Sequence, residues 1–218
     1  MKVLILGGTG RTGKHLIPAA LAKRYNVSCL VRKIPAVAAN ERINFVVGSP
    51  ENSHDLDNAM KGCEAIVSAL NISRTSDFPW AKLRTPPLFL SETMKKVIPL
   101  ATSHNIKRIV VCSAWGAAET KKDLPRWFQW LIDNSNIGYA YRDHERQEEI
   151  LKQSALDWTI VRPTGLVNSH KIQKVLESYD NIPQPAFMIN RRTVAKYLID
   201  AVEDTRLIHQ TPVISATR

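Results

Sequence analysis

The residues best placed to do chemistry lie at the start of the chain, in "LILGGTGRTG". Gly7, Gly10 and Gly13 follow the apolar run Val3–Leu6 and precede a stretch with helical patterning. A strand, a glycine-rich turn and a helix in that order form an anion cradle, because backbone amides and the positive end of the helix converge on one spot. Gly7 permits the tight turn, Gly10 lets the backbone come up against a pyrophosphate, and Gly13 lets the helix pack close to the strand. Thr9, Arg11 and Thr12 complete the loop, and the pattern predicts a bound dinucleotide.

The end of the second apolar run indicates which dinucleotide. An acidic residue about 20 positions past the glycines would hold the ribose hydroxyls of NAD. This chain reads "SCLVRK" there, with Arg32 and Lys33 and no carboxylate. Two cations at that place, with Arg11 as a third, suit a 2′-phosphate, so the expected cofactor is NADP(H).

These groups must be positioned by a regular frame. Short apolar runs recur at Val3–Leu6, Val27–Val31, Ile43–Val47, Ala65–Leu70, Ile109–Cys112, Trp158–Val161 and Val213–Ser215. Helical stretches fall between them at about 11–24, 53–61, 87–104, 141–154 and 192–203. Val- and Ile-rich runs without polar alternation read as parallel strands buried on both faces. The expected fold is therefore α/β: a doubly wound parallel sheet (Rossmann fold) in three αβα layers, one domain over residues 1–218. Ser53 is expected to cap the second helix and Gly62 to stop it. Pro18 and Pro99 should each cost a helix a backbone bond and kink it. Segments at about 115–140 and 165–190 carry no strand of the main pattern and are expected to cover a pocket, since open α/β sheets bind ligands beyond the carboxyl ends of their strands.

Composition narrows the class. At 218 residues the chain is long enough for a large single core. Cys29, Cys63 and Cys112 stand apart with no C-x-x-C pair, which suits a reducing compartment, and no metal site is expected. No apolar run reaches the ~18 residues of a membrane span, so a cytoplasmic protein without membrane attachment is expected. The net charge of +10 raises nucleic acid as a partner. The basic pairs are dispersed (Arg32-Lys33, Lys95-Lys96, Lys107-Arg108, Lys121-Lys122, Arg191-Arg192), and no nucleic-acid-binding motif accompanies them, which argues against it.

With these residues placed, the chain resembles the atypical short-chain dehydrogenase/reductases, in particular the NmrA-like and flavin reductase (biliverdin reductase B-like) branch. "LILGGTGRTG", "CLVRK", "MKGCEAIVSAL", "NIKRIVVCSAWG" and "LDWTIVRPTGL" carry the resemblance through nearly the whole chain. It implies strands in the order 3-2-1-4-5-6 and a nicotinamide between the ends of the fourth, fifth and sixth. That puts Ala69 and Leu70, Cys112 and Ser113, and Pro163 and Thr164 beside the cofactor. It also puts His144 where related proteins carry a catalytic lysine, able to bond the nicotinamide ribose or relay a proton. Ser113 would donate a hydrogen bond to an acceptor or to the carboxamide, which makes Ser113 and His144 the candidate catalytic residues.

The chain also departs from the family. None of Tyr25, Tyr139, Tyr141, Tyr179 and Tyr197 is followed four residues later by a lysine. Nothing then lowers a phenol's pKa from ~10, which disfavours alcohol oxidation and sugar epimerisation. Gly48-Ser49 replaces the family's Gly-Asp after the third strand. Two functions follow as expectations. One is an NADPH-dependent reductase of a planar small molecule such as a flavin or quinone, with Trp115, Trp127, Phe128 and Trp130 available to stack on it. The other is a non-enzymatic NmrA-like module that senses NADP(H) and signals to a partner. A monomer or weak homodimer is expected in either case.

Overall fold

The computed structural model describes residues 1–36, 40–169 and 171–217. Its elements in order are β1 (Lys2–Leu6), α1 (Leu16–Ala22), β2 (Asn26–Val31), β3 (Ile43–Val47), α2 (Ser53–Met60), β4 (Ala65–Ser68), α3 (Phe89–Ser103) and β5 (Arg108–Cys112). There follow α4 (Arg126–Asp133), α5 (Ile137–Lys152), β6 (Asp157–Pro163), β7 (Gly165–Val167), β8 (Val175–Ser178), β9 (Met188–Asn190), α6 (Arg191–Asp200) and β10 (Val213–Ala216).

The main sheet has eight strands in the order β3-β2-β1-β4-β5-β6-β10-β8. All of its pairs are parallel except β10 with β8. The strand order expected from the resemblance is thus present, extended by two strands at the β6 edge. The sheet is doubly wound because its strands are apolar on both faces. Val3 and Ile5 of β1 pack with Leu16 and Ala20 of α1 and Val194 and Leu198 of α6. Leu4 and Leu6 point the other way, to Leu56 of α2, Met94 of α3 and Leu151 of α5. Val3 through Leu6 are at most 1% exposed. At about 1.5–3 kcal/mol for each side chain so buried, the strand that leads into the glycine loop is firmly anchored. The chain order reverses between β1 and β4, and that switch point opens the crevice at the carboxyl ends of the strands.

Several boundaries differ from the sequence expectation for identifiable reasons. The first helix opens as a 3-10 turn, Gly13–His15, before α1. Pro18 is therefore the third residue of α1, where an amide has no intrahelical acceptor, and the expected loss of a bond does not arise. Pro99 does lie inside α3, which continues to Ser103. Asn52, not Ser53, caps α2: its side chain accepts from the amides of His54 and Asp55. Gly62 follows α2 in the left-handed region at φ +70°, as a helix stop requires. α5 begins at Ile137, four residues earlier than expected. Strand β4 ends at Ser68, not Leu70. The short strands β7 and β9 pair in parallel and escaped the sequence reading because each has only three residues. Among the described residues no helix is long and apolar enough to cross a membrane.

Candidate functional site

The glycine loop is built by close approach. Gly7 has φ +80°, and a Cβ on it would sit 2.9 Å from the carbonyl carbon and oxygen of Ala69. The backbone just past β4 thus lies against the loop, and the Ala69 amide donates to the Leu6 carbonyl at 2.9 Å. A Cβ on Gly13 would lie 1.9 Å from the Gly7 carbonyl oxygen, so this glycine is required by packing within the loop. Gly8, which the spacing argument passes over, is equally constrained: a Cβ there would meet the Cys29 sulfur at 2.4 Å. Gly10 differs from both. Its Cβ would touch only the Gly7 carbonyl, at 3.2 Å, and the residue is exposed along with Thr9 and Arg11. The loop is therefore tight on its protein side and open at Gly10, the surface a diphosphate needs for backbone approach.

Arg32 and Lys33 follow β2 directly, exposed and without a hydrogen bond or ion pair among the described residues. Arg11 is engaged instead: its guanidinium grips both carboxylate oxygens of Asp77, at 2.8 and 2.9 Å, although both side chains are mostly exposed. Asp77 belongs to the loop after β4, which folds back on itself through the Arg74–Leu83 bridge. Arg74 and Arg191 lie within electrostatic reach of Arg11 and Asp77, so the crevice has a cationic rim. After β3, where the family has Gly-Asp, the Ser49 amide donates to Asp55 of α2 at 2.9 Å.

At the other end of the crevice stand the carboxyl ends of β5 and β6. Alternation along β6 sends Trp158 and Ile160 toward the α5 side, and Arg162 follows them. Ser113, next after β5, reaches the same side. Its hydroxyl donates to Glu148 of α5 at 2.6 Å. Arg162, 1% exposed, donates to Glu148 through Nε (3.1 Å) and Nη2 (2.5 Å) and to Glu119 through Nη1 (2.6 Å) and Nη2 (3.1 Å). Burial works against the Arg162 charge, but the two glutamates more than offset it and raise its pKa. The Glu119 carboxyl is raised by burial yet lowered further by Arg162, ending at about 2. Sequence reasoning missed this chain of charges. Its signal was Arg162 itself, a cation inside an apolar strand, which has to be buried with a counter-charge.

His144 lies one turn before Glu148 on α5, 3% exposed, and its Nδ1 has no hydrogen-bond partner. Burial pushes the imidazole down to about 4 against the opposing pull of Glu148 and Asp143, so it is neutral at physiological pH. Asp143 is fully committed elsewhere. It accepts from the amides of Leu90 (2.6 Å) and Ser91 (3.3 Å) and from the Ser91 hydroxyl (2.5 Å). It thereby caps the first turn of α3 from a neighbouring helix, where the helix dipole favours a negative charge. Thr164, after β6, is likewise buried with an unpartnered hydroxyl, and Pro163 is buried beside it. Cys112 is buried, and burial pushes its thiol up to about 12, so it is not a nucleophile. Trp115 and Phe128 belong to a small satellite core with Leu124, Ile132 and Tyr141, and Trp115 meets Phe187 edge-on at 5.7 Å. Trp127 and Trp130 face outward, 66% and 58% exposed.

The open backbone at Gly10, the cations after β2 that have no partner among the described residues and the buried unpartnered atoms of His144 and Thr164 fit a nicotinamide dinucleotide. Comparison with known proteins agrees. A family model described as NAD(P)H-binding matches residues 7–205. The photosystem II assembly factor Ycf39 of Synechocystis sp. is 27% identical over 99% of this chain, which spans 63% of that protein's length. A short-chain dehydrogenase/reductase of Veillonella parvula, solved in complex with NADP, superposes with a TM-score of 0.78 at 19% identity, covering 98% of this chain and 94% of that one. ChuY, described as an anaerobillin reductase from Escherichia coli O157:H7, gives 0.79 at 19% identity, covering 99% and 97% of the two chains. The structural likenesses show that these proteins share this chain's fold. The extent of the family match, with the loop that begins it, makes this chain a member of the NAD(P)H-binding family.

Proposed function

We propose that the protein is an NADPH-dependent reductase that passes hydride to a flavin, a quinone or a similarly conjugated small molecule. The observation that carries this reading is the nicotinamide end of the crevice. Its polar groups are Ser113, bonded to Glu148, the unpartnered Thr164 hydroxyl and a neutral buried His144, with no tyrosine-lysine acid to protonate an isolated carbonyl. A conjugated acceptor needs no such acid, since it spreads the charge of the added hydride and takes its proton from solvent. NADPH and one proton become NADP, and the acceptor gains two hydrogens. The protein's part is then to bind, orient and exclude water. Gly7, Thr9, Gly10, Thr12 and Gly13 would cradle the diphosphate, and Ala69, Leu70, Cys112, Pro163 and Thr164 would wall the ring. Arg32 and Lys33 would hold the 2′-phosphate, with Arg11 joining them once it exchanges Asp77 for that group.

The test is titration of NADPH and NADH into wild type and Arg32→Ala, then NADPH consumption with FMN, riboflavin and simple quinones. A charge-assisted contact contributes about 1.5–3 kcal/mol, so NADPH should bind roughly ten-fold to more than a hundred-fold tighter than NADH, and Arg32→Ala should erase most of that margin. Equal affinities in wild type would refute the choice of NADPH. Tight binding without turnover on any acceptor would favour the NADP(H)-sensing module, a reading that similarity to an assembly factor also supports.

A further inference from the structure

The Ser113 hydroxyl has a single proton, and the contact with Glu148 Oε1 uses it. A carboxylate has no proton to give, so the serine is the donor. Glu148 is held as the acceptor by Arg162 on both of its oxygens, with the Lys152 ammonium a further 3.7 Å from Oε2. Glu148 and Arg162 side chains are each 1% exposed, so water does not compete for these bonds. For any further partner the Ser113 hydroxyl therefore keeps lone pairs and no hydrogen. This reverses the role that the family resemblance implies for it, which was donation to a substrate carbonyl or to the carboxamide oxygen.

We infer that Glu148, clamped by Arg162, is a positioning residue that makes Ser113 an obligate hydrogen-bond acceptor, so that the site reads the amide N–H of the cofactor's carboxamide and does not polarise a substrate carbonyl. The inference rests on the proposed binding of NADP(H) with its nicotinamide at the ends of β4, β5 and β6. A carboxamide has a donor side and an acceptor side that differ little in shape. An acceptor fixed at Ser113 therefore selects one rotamer of that group and opposes the other. A donor fixed at the same place would select the reverse. The side chain that decides is 35 residues away in sequence.

The experiment measures binding rather than turnover. Oxidised NADP and its 3-acetylpyridine analogue, in which a methyl group replaces the amide nitrogen and removes the N–H donor, are titrated into wild type, Glu148→Gln and Ser113→Ala. Wild type should bind the analogue about ten-fold more weakly, the effect of losing one hydrogen bond and leaving a buried acceptor unpaired. In Glu148→Gln the single amide oxygen is held by Arg162 and the amide nitrogen turns to Ser113 and donates to it, which frees the serine proton, and the ratio should fall to about two-fold or less. Ser113→Ala should lower the ratio in the same way while keeping the Glu148–Arg162 pair, so the result survives if Glu148→Gln does not fold. A merely structural Glu148 would change the melting temperature and both affinities together and leave the ratio alone; that outcome overturns the inference. So does a wild type that binds both compounds equally well, a result that leaves the NADPH reading standing. Failure of wild type to bind NADP at all would instead overturn the proposed function, and the inference with it.

Discussion

Replacing His144 with glutamine tests the crevice through its pH dependence. The imidazole is buried without a partner for Nδ1, and its pKa falls from 6.5 to about 4 because burial disfavours the charged ring. A folded-state pKa below the unfolded one means that the unfolded chain binds the proton more readily. Stability is therefore fully present above pH 6.5 and is lost as pH falls toward 4, where the folded protein also takes up the proton. A shift of this size is equivalent to about 3 kcal/mol in full, of which about 2 kcal/mol should already be lost at pH 5. Urea unfolding of wild type and His144→Gln, measured from pH 8 down to 5, isolates the effect, because all other titrations are shared. The difference in unfolding free energy should move in favour of the variant by about 2 kcal/mol across that range. Parallel curves would refute the reasoning and return His144 to an ordinary solvated imidazole. The same shift bears on mechanism. Without ligand His144 is neutral through physiological pH, which under the proposed function suits it to bond the nicotinamide ribose and not to store a proton.

Two further substitutions separate binding from folding. Gly13→Ala places a Cβ 1.9 Å from the Gly7 carbonyl and should lower the melting temperature by several degrees or prevent folding, whereas Gly10→Ala meets only a 3.2 Å contact and should keep the fold while weakening NADPH binding, as calorimetry of both would show. Asp143→Ala removes the cap from the first turn of α3, leaving the amides of Leu90 and Ser91 buried without acceptors, and should cost about 1–3 kcal/mol in denaturant unfolding with little direct effect on the cofactor affinity of protein that remains folded.

The parallel sheet and the glycine loop were legible in the sequence, and the family resemblance implied the order of the central strands. A strand buried on both faces must be apolar along its whole length, and "VLIL", "IVV" and "TIV" are so; a tight turn beneath an anion must be glycine-rich, and "GGTGRTG" is so. These are local requirements, met by neighbouring residues. The pairing of side chains was not legible, because it depends on which helix face meets which strand end. Asp143 and His144 are adjacent in sequence and look like partners, yet a helix turns about 100° per residue, so one carboxylate caps α3 while the imidazole beside it finds no bond for Nδ1. Arg11, read as a free cation for a phosphate, is claimed by an aspartate 66 residues on. Arg162 in "TIVRP" announced that a buried counter-charge had to exist, but only the docking of α5 on the sheet decided that Glu148 would supply it and accept the hydrogen bond of Ser113. The sequence by itself determined the cradle and the frame, because these are written in residues that touch along the chain. The tertiary structure decided the hydrogen-bond direction of the polar groups at the carboxyl ends of β5 and β6, because it depends on charges brought together from distant segments in a place that excludes water.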